Sequence, residues 1–438
     1  MTKINRRELL KLSASFPFLG LLPSVATAQT LPTKRMILVR AFGGWDVTYC
    51  LDPRLTSCTI HGPDFDQSNP RSCMGAGDQE VIESFGGLRI MTNAMRREVV
   101  GQFFQENAQN TVVVNGISIG SIVHQECEGR ILTGSRALGV ADMGTLTAVS
   151  NGGASTLPYL DLSGGARVGP YAAQTGMLGR NNQILALVDP SFSISGPPES
   201  GLVHPLYTPS AQSSEAIQSY LATRRSAWSS RDENSAKYTR MMADLDIAHA
   251  RQKQLLEQSD LLKQNLTFGG GASLLDQNQT AVSLMKSGLC HSASLQTQGR
   301  WDTHDDITEQ NGLYVELFTG LRDLVQKLKA NDLFDETLVV VISEMTRTPK
   351  MNQDGGKDHW PVTSAMLIGG GLEGSRTLGG TTEDTLDAMP VNLTNGRVDM
   401  ASSTKLEYAN FAAGVLRAVG VDHTEYFPDT EALHGIVD

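Results

Sequence analysis

The sequence predicts an α/β fold in which buried, mostly parallel strands lie between helices. Three observations carry this. First, Leu338-Val339-Val340-Val341-Ile342 is a continuous apolar run without alternation, the pattern of a strand covered on both faces. Second, Leu313, Leu317, Leu321, Leu324 and Leu328 form an apolar stripe at helical spacing that feeds this strand through a helix end at Ala330-Asn331-Asp332. Third, the apolar runs stop at carboxylates: Ile342 at Ser343-Glu344, and Met36–Phe42 at Gly43-Gly44-Trp45-Asp46. Open α/β sheets place their ligands at the carboxyl ends of strands.

The chain has 438 residues, low aromatic content and 43 glycines, which suits a large, loop-rich globular protein. Its net charge of −11 argues against a nucleic-acid or anionic-membrane partner, since either needs a basic face. An anionic substrate stays compatible with that charge, because a bound metal ion reverses the local field.

Residues 1–28 read as a leader. Asn5-Arg6-Arg7-Glu8-Leu9-Leu10-Lys11 matches the twin-arginine export pattern, an apolar stretch runs from Phe16 to Leu22, and Ala26-Thr27-Ala28 precedes Gln29 as a small-x-small cleavage site. The alternative, a basic amphipathic N-terminal helix, explains fewer of these three parts. A bilayer span needs about 20 apolar residues, which neither this stretch nor any later one supplies. The expectation is a chain exported to the periplasm or secreted, with no transmembrane anchor after processing and residues 29–438 forming one domain.

Met36–Phe42 is the first core strand. Residues 50–80 read as loop and contain Cys50, Cys58 and Cys73, so at least one local disulfide is expected there. Thr111–Asn115 is the next strand. It runs through glycines and hydroxyls, including Ser118 and Ser121, to His124, where a helix can open. Residues 150–206, rich in Gly, Pro and Ser, read as surface loops with one strand at Ile184–Val188. Residues 211–266 change to a helical pattern, read as an insertion flanking the sheet whose charges are a solvated face, ending at Gly269-Gly270-Gly271. After the Leu338 strand a polar loop leads to Asp358-His359-Trp360-Pro361. The run Ala365–Ile368 then enters Gly369-Gly370-Gly371, and a last helix carries Leu406, Phe411, Val415 and Leu416.

The chemistry-bearing residues lie in these loops. Asp302 and His304, in Trp301-Asp302-Thr303-His304, are two apart and point the same way in an extended segment, as two ligands of one metal would. Alone they fit a helix N-cap cluster as well; with Glu344, Asp358 and His359 the metal reading prevails. Each imidazole has an Asp beside it, as ligand or as hydrogen-bonding support. Arg347, at a strand exit, suits a bidentate clamp on an oxyanion or a plain salt bridge. His124 fits a catalytic role or a structural one, and Ser121 is the best nucleophile available, although serines there often only cap a helix.

These stretches together resemble the family of exported bacterial proteins with domain of unknown function 1501. The resemblance rests on Gly43-Gly44-Trp45-Asp46, Trp301-Asp302-Thr303-His304, the 338–344 strand with Arg347-Thr348-Pro349, and Gly355-Gly356-Lys357-Asp358-His359-Trp360-Pro361. It spans most of the chain after the leader. It implies an alkaline-phosphatase-like three-layer fold, a large mostly parallel sheet between helices, with a divalent-metal site, zinc being the candidate. By position it implies Asp46, Asp302, His304, Glu344 and His359 as ligands, Asp358 joining them from the residue reading. One departure is visible: Glu344-Met345 stands where such enzymes have Asp-His, and a thioether is a poor ligand for a hard ion.

Two functions follow as expectations: a metal-dependent hydrolase of phosphate or sulfate esters acting on an anionic small molecule, or a non-catalytic exported scaffold that binds a partner protein and keeps a structural ion. The leader is testable. Replacing Arg6 and Arg7 together by Lys is expected to hold the protein in the cytoplasm, as read by cell fractionation; normal extracytoplasmic accumulation would remove the twin-arginine reading.

Overall fold

A computed structural model describes residues 34–437 except 70, 72, 77–78, 154, 178–209, 230–235 and 266–272. The leader, the strand expected at Ile184–Val188 and the Gly269-Gly270-Gly271 terminator lie outside the described residues. In chain order the strands are β1 (Arg35–Arg40), β2 (Val81–Phe85), β3 (Leu88–Thr92), β4 (Thr111–Ser118), β5 (Leu157–Asp161), β6 (Thr175–Met177), β7 (Cys290–Gln296), β8 (Thr337–Ile342), β9 (Thr346–Arg347), β10 (His359–Trp360), β11 (Val362–Gly369) and β12 (Arg376–Gly379). The α-helices are α1 (Glu98–Asn107), α2 (His124–Thr133), α3 (Met143–Asn151), α4 (Ala211–Ser229), α5 (Ala236–Glu257), α6 (Ser259–Asn265), α7 (Leu274–Lys286), α8 (Gln310–Ala330) and α9 (Tyr408–Ala418).

Eight strands make one sheet in the order β12-β4-β11-β8-β1-β7-β5-β6. All pairs are parallel except those of β11, which runs antiparallel to both β4 and β8. The apolar runs bury alternate residues on opposite faces. Ile37, Val39, Val339 and Val341 pack with α1, α7 and α8, whereas Met36, Leu38, Leu338, Val340 and Ile342 pack with α2, α3 and α9. The result is a three-layer α/β fold, as expected. Met345 is fully buried in the second of these cores, so it is packing and not a vacant ligand position.

The sequence reading differs from the structure in residues 150–206. There β5 is an inner strand, buried along its whole length between β7 and β6. Its sequence, Leu-Pro-Tyr-Leu-Asp, hides it, because Pro interrupts its three apolar residues and Asp ends them. Cys58 and Cys73 form a disulfide, while Cys50 is a buried free thiol.

Sheet polarity positions the site. β1, β4, β7 and β8 all end at one edge of the sheet, and β11, being antiparallel, begins there. The loops after four strands and the loop before a fifth therefore meet. Their approach is close at Gly43, whose φ of +126° is open to glycine. A Cβ there would stand 2.6 Å from the Asp302 nitrogen and 2.8 Å from the Trp301 nitrogen. Gly43→Ala should therefore lower thermal stability, by on the order of 1–3 kcal/mol. Gly312→Ala, in α8 with nothing within 4 Å of its added Cβ, should raise it slightly. Thermal unfolding followed by circular dichroism checks both; a Gly43→Ala melting point equal to the parent's would refute the close-packed junction.

Candidate metal centre

Four side chains meet at this edge. Asp302 comes from the segment after β7, His304 from two residues later, His124 from the first turn of α2, and His359 from β10. His304 Nε2 lies 2.9 Å from His359 Nε2 and 3.1 Å from Asp302 Oδ1. His359 Nε2 lies 3.2 Å from the same oxygen, and His124 Nε2 lies 3.5 Å from Asp302 Oδ2. One ligand atom from each of His124, Asp302 and His359 fits within 4.8 Å of the others.

The opposite nitrogen of each ring settles what these atoms are. His359 Nδ1 is 2.8 Å from the Ile122 carbonyl, which only accepts, so Nδ1 carries the hydrogen. His304 Nδ1 donates to Asp358 Oδ1 at 3.1 Å, and His124 Nδ1 donates to Glu344 Oε1 at 2.7 Å. In neutral rings all three Nε2 atoms are then lone pairs, turned toward an ionised carboxylate. Such a group repels itself unless a proton or a cation stands among the lone pairs. Hydrogen-bonding the far nitrogen to a carboxylate or carbonyl is how proteins aim histidines at metals. The spacing agrees: tetrahedral ligands at ~2.0–2.1 Å from zinc stand about 3.3 Å apart. The donor set, imidazole nitrogen with one carboxylate, suits zinc and similar divalent ions.

Asp302 is held ionised. Burial acts to raise its pKa, but the hydrogen bond and charge of Arg347, with the His359 and His124 imidazoles beside it, outweigh burial and bring it to about 2. The Glu344 hydrogen bond pushes the His124 pKa up against the opposing effect of burial. Asp358 is lowered by the Asn352 hydrogen bond and, against slight burial, by His304.

Several expected roles change. Glu344 is fully buried, accepts from the Gly43 nitrogen at 2.9 Å and orients His124, so it supports the centre without facing it. Asp358 likewise supports His304. Asp46 is elsewhere: Oδ1 accepts from the Thr48 nitrogen and hydroxyl, and Oδ2 pairs with the buried Lys357 Nζ at 2.6 Å. Burial in that ion pair removes it from the ligand set. Arg347 is also fully buried. Its nitrogens donate to the carbonyls of Gly44 (2.7 Å), Lys357 (3.0 Å), Trp301 (2.8 Å) and Gly43 and to Asp302 Oδ1 (2.7 Å), so it braces loops and does not clamp an oxyanion. The Ser121 hydroxyl donates to Glu126 at 2.8 Å and accepts from the Val123 nitrogen, which is a turn at the start of α2. The Ile122 carbonyl and Asn352, which accompanies Asp358 at 3.2 Å, were not foreseen; a backbone acceptor leaves no mark in a sequence.

Beneath the centre, Trp45, Trp301 and Tyr314 pack together, with Trp301 and Tyr314 edge to face at 5.0 Å. Beside it opens a cleft of about 570 Å³, bordered by His124, Asp302, Glu344 and Gly43. Among the described residues no helix is long and apolar enough to cross a membrane.

No curated protein matches the sequence. Among solved structures it is similar to the lipoteichoic acid synthase LtaP from Listeria monocytogenes, at TM-score 0.37 and 9% identity over 94% of this chain and 77% of that one. It is similar to a protein in the alkaline phosphatase superfamily from Vibrio parahaemolyticus, at 0.36 and 9% over 96% and 76%. A third is the phosphonate monoester hydrolase SpPMH from Silicibacter pomeroyi, at 0.32 and 10% over 93% and 77%. The family model described as protein of unknown function (DUF1501) matches residues 33–435, the same blocks that build the centre, and the chain belongs to that family.

Proposed function

We propose that the chain is a metal-dependent hydrolase of phosphate or sulfate esters, its ion held by His304 Nε2, His359 Nε2 and Asp302 Oδ1. The observation that carries this is the three-way anchoring of Nδ1, which turns the Nε2 lone pairs onto one carboxylate. A divalent cation in such a site supplies Lewis acidity to an ester oxygen and to an attacking water. His124, on the Asp302 Oδ2 side and bordering the cleft, would hold or pass a proton at Nε2 while Glu344 fixes its ring. Arg347 keeps Asp302 ionised and in place. Three protein ligands leave coordination positions for substrate, as catalytic zinc sites do.

The scaffold reading draws support from one observation. Among the described residues, no serine or threonine hydroxyl is hydrogen-bonded to Asp302 or to the three Nε2 atoms, and the Ser121 hydroxyl is bonded to Glu126. An enzyme of this design would use water as its nucleophile.

Metal analysis and a panel of phosphate and sulfate monoesters test the proposal. Purified protein should hold zinc or a similar ion, and His304→Ala and His359→Ala should each lose it. Asp358→Ala should weaken metal affinity about 10–100-fold, as loss of a supporting carboxylate does. His124→Ala should retain the ion and lower kcat by roughly 10²-fold or more. Metal-loaded protein that turns over none of the esters would favour the scaffold. Unchanged metal content in both histidine variants would end the metal reading.

A further inference from the structure

The cleft beside His124 has polar walls that the metal reading does not use. Arg40, the last residue of β1, is only 4% exposed and lines it. Its Nη1 donates to the Ser163 hydroxyl at 2.7 Å. Its Nη2 stands 3.9 Å from Glu128 Oε2, too far for a hydrogen bond, and its buried Nε has no hydrogen-bond partner. The guanidinium lies over the Phe42 ring, 4.3 Å from the centroid, and against Gly165, where a Cβ would fall 2.2 Å from Nη1. The fold thus makes room for a buried arginine and leaves it short of acceptors. A donor without an acceptor is costly, and a ligand in the cleft that supplies one to Nη2 removes that cost, whereas Nε is buried out of a ligand's reach.

Glu128 lies one helical turn after His124 on α2 and lines the same cleft, as do Gln296, Gln298 and Arg300. This composition selects among ligands. An alkyl group would leave Arg40 as it is. A second anion would satisfy Arg40 but meet the Glu128 carboxylate. Neighbouring hydroxyls satisfy both, since each hydroxyl accepts and donates. The Phe42 ring offers an apolar surface for the carbons between them.

We propose that this cleft receives the alcohol part of the ester and that this alcohol is a polyol, with hydroxyls accepting from Arg40 and donating to Glu128. The proposal rests on the ester-hydrolase reading above and names its substrate class.

The test compares two phosphonates on the zinc-loaded full chain by calorimetry: the analogues of glucose 6-phosphate and of n-hexyl phosphate in which carbon replaces the ester oxygen. Both carry the same group for the metal and neither is turned over. The sugar analogue should bind at least about tenfold tighter, a difference of ~1.4 kcal/mol. In Arg40→Met and in Glu128→Ala that ratio should fall toward one while zinc content is retained. Because Arg40 is buried, its variant is checked for folding, and Glu128→Ala, on a partly exposed side chain, carries the test if Arg40→Met does not fold. Equal affinities in the parent protein, or an unchanged ratio in Glu128→Ala, would overturn the polyol proposal while leaving the metal centre standing. Absence of zinc together with no binding of either analogue would instead overturn the hydrolase reading, and the polyol proposal with it.

Discussion

Arg347 is the point from which the candidate centre is built. Its guanidinium, wholly out of water, bonds to carbonyls after β1, after β7 and before β10, and to the Asp302 carboxylate. Three loops with no other reason to share a plane are fixed by one planar group with donors in set directions. A lysine could not do this, because an ammonium offers three rotating donors and no fork. Burial makes the arrangement demanding: a guanidinium taken out of water must have its hydrogens met. The carbonyls and Asp302 meet them, and in return the loops are held where His304 and His359 come together. The two glycines after β1 belong to the same constraint, since Gly43 and Gly44 both have positive φ and a Cβ on either would press on Asp302 or Arg347.

Topology supplies the rest. A wholly parallel sheet would send the segment after β8 over a face of the sheet before the chain re-entered it. Here the chain turns back through β9 and β10 and enters β11 beside β8 in the opposite sense. Asp358 and His359 therefore stay at the edge where β8 ended. The short β9–β10 pairing sets His359 opposite Arg347, so the brace and a candidate ligand are cross-strand neighbours.

The fold was legible where physics repeats. Residues 338–342 and 36–39 declare buried strands because nothing else explains unbroken apolar runs beside Gly and carboxylate, and the α8 stripe declares a helix. β5 was not legible, since two apolar residues between Pro and Asp carry no period. At the site, residue types were readable but roles were not. Asp302, His304, His359 and His124 do converge, yet Glu344 and Asp358 stand behind imidazoles, and Asp46 pairs with Lys357. A carboxylate at a strand end looks the same in a sequence whether it faces the centre, supports a neighbour or neutralises a lysine. Arg347 misled for the same reason: the carbonyls that consume its hydrogens belong to the backbone.

The wide separation of the converging residues has a consequence for how this protein folds and fails. His124 and His359 follow β4 and precede β11, neighbours in the sheet though 235 positions apart in the chain, whereas Asp302 and His304 follow β7, on the far side of β8 and β1. The complete pocket therefore exists only where β4, β11, β8, β1 and β7 stand together in the sheet. Contacts of such long range slow folding, because loop closure precedes the contacts that reward it. A ligand that bridges these side chains binds the assembled sheet alone and, by mass action, draws the population away from every partly opened form. An ion held there would act as a clasp on this sheet edge, and its occupancy would report on the integrity of elements that never touch it.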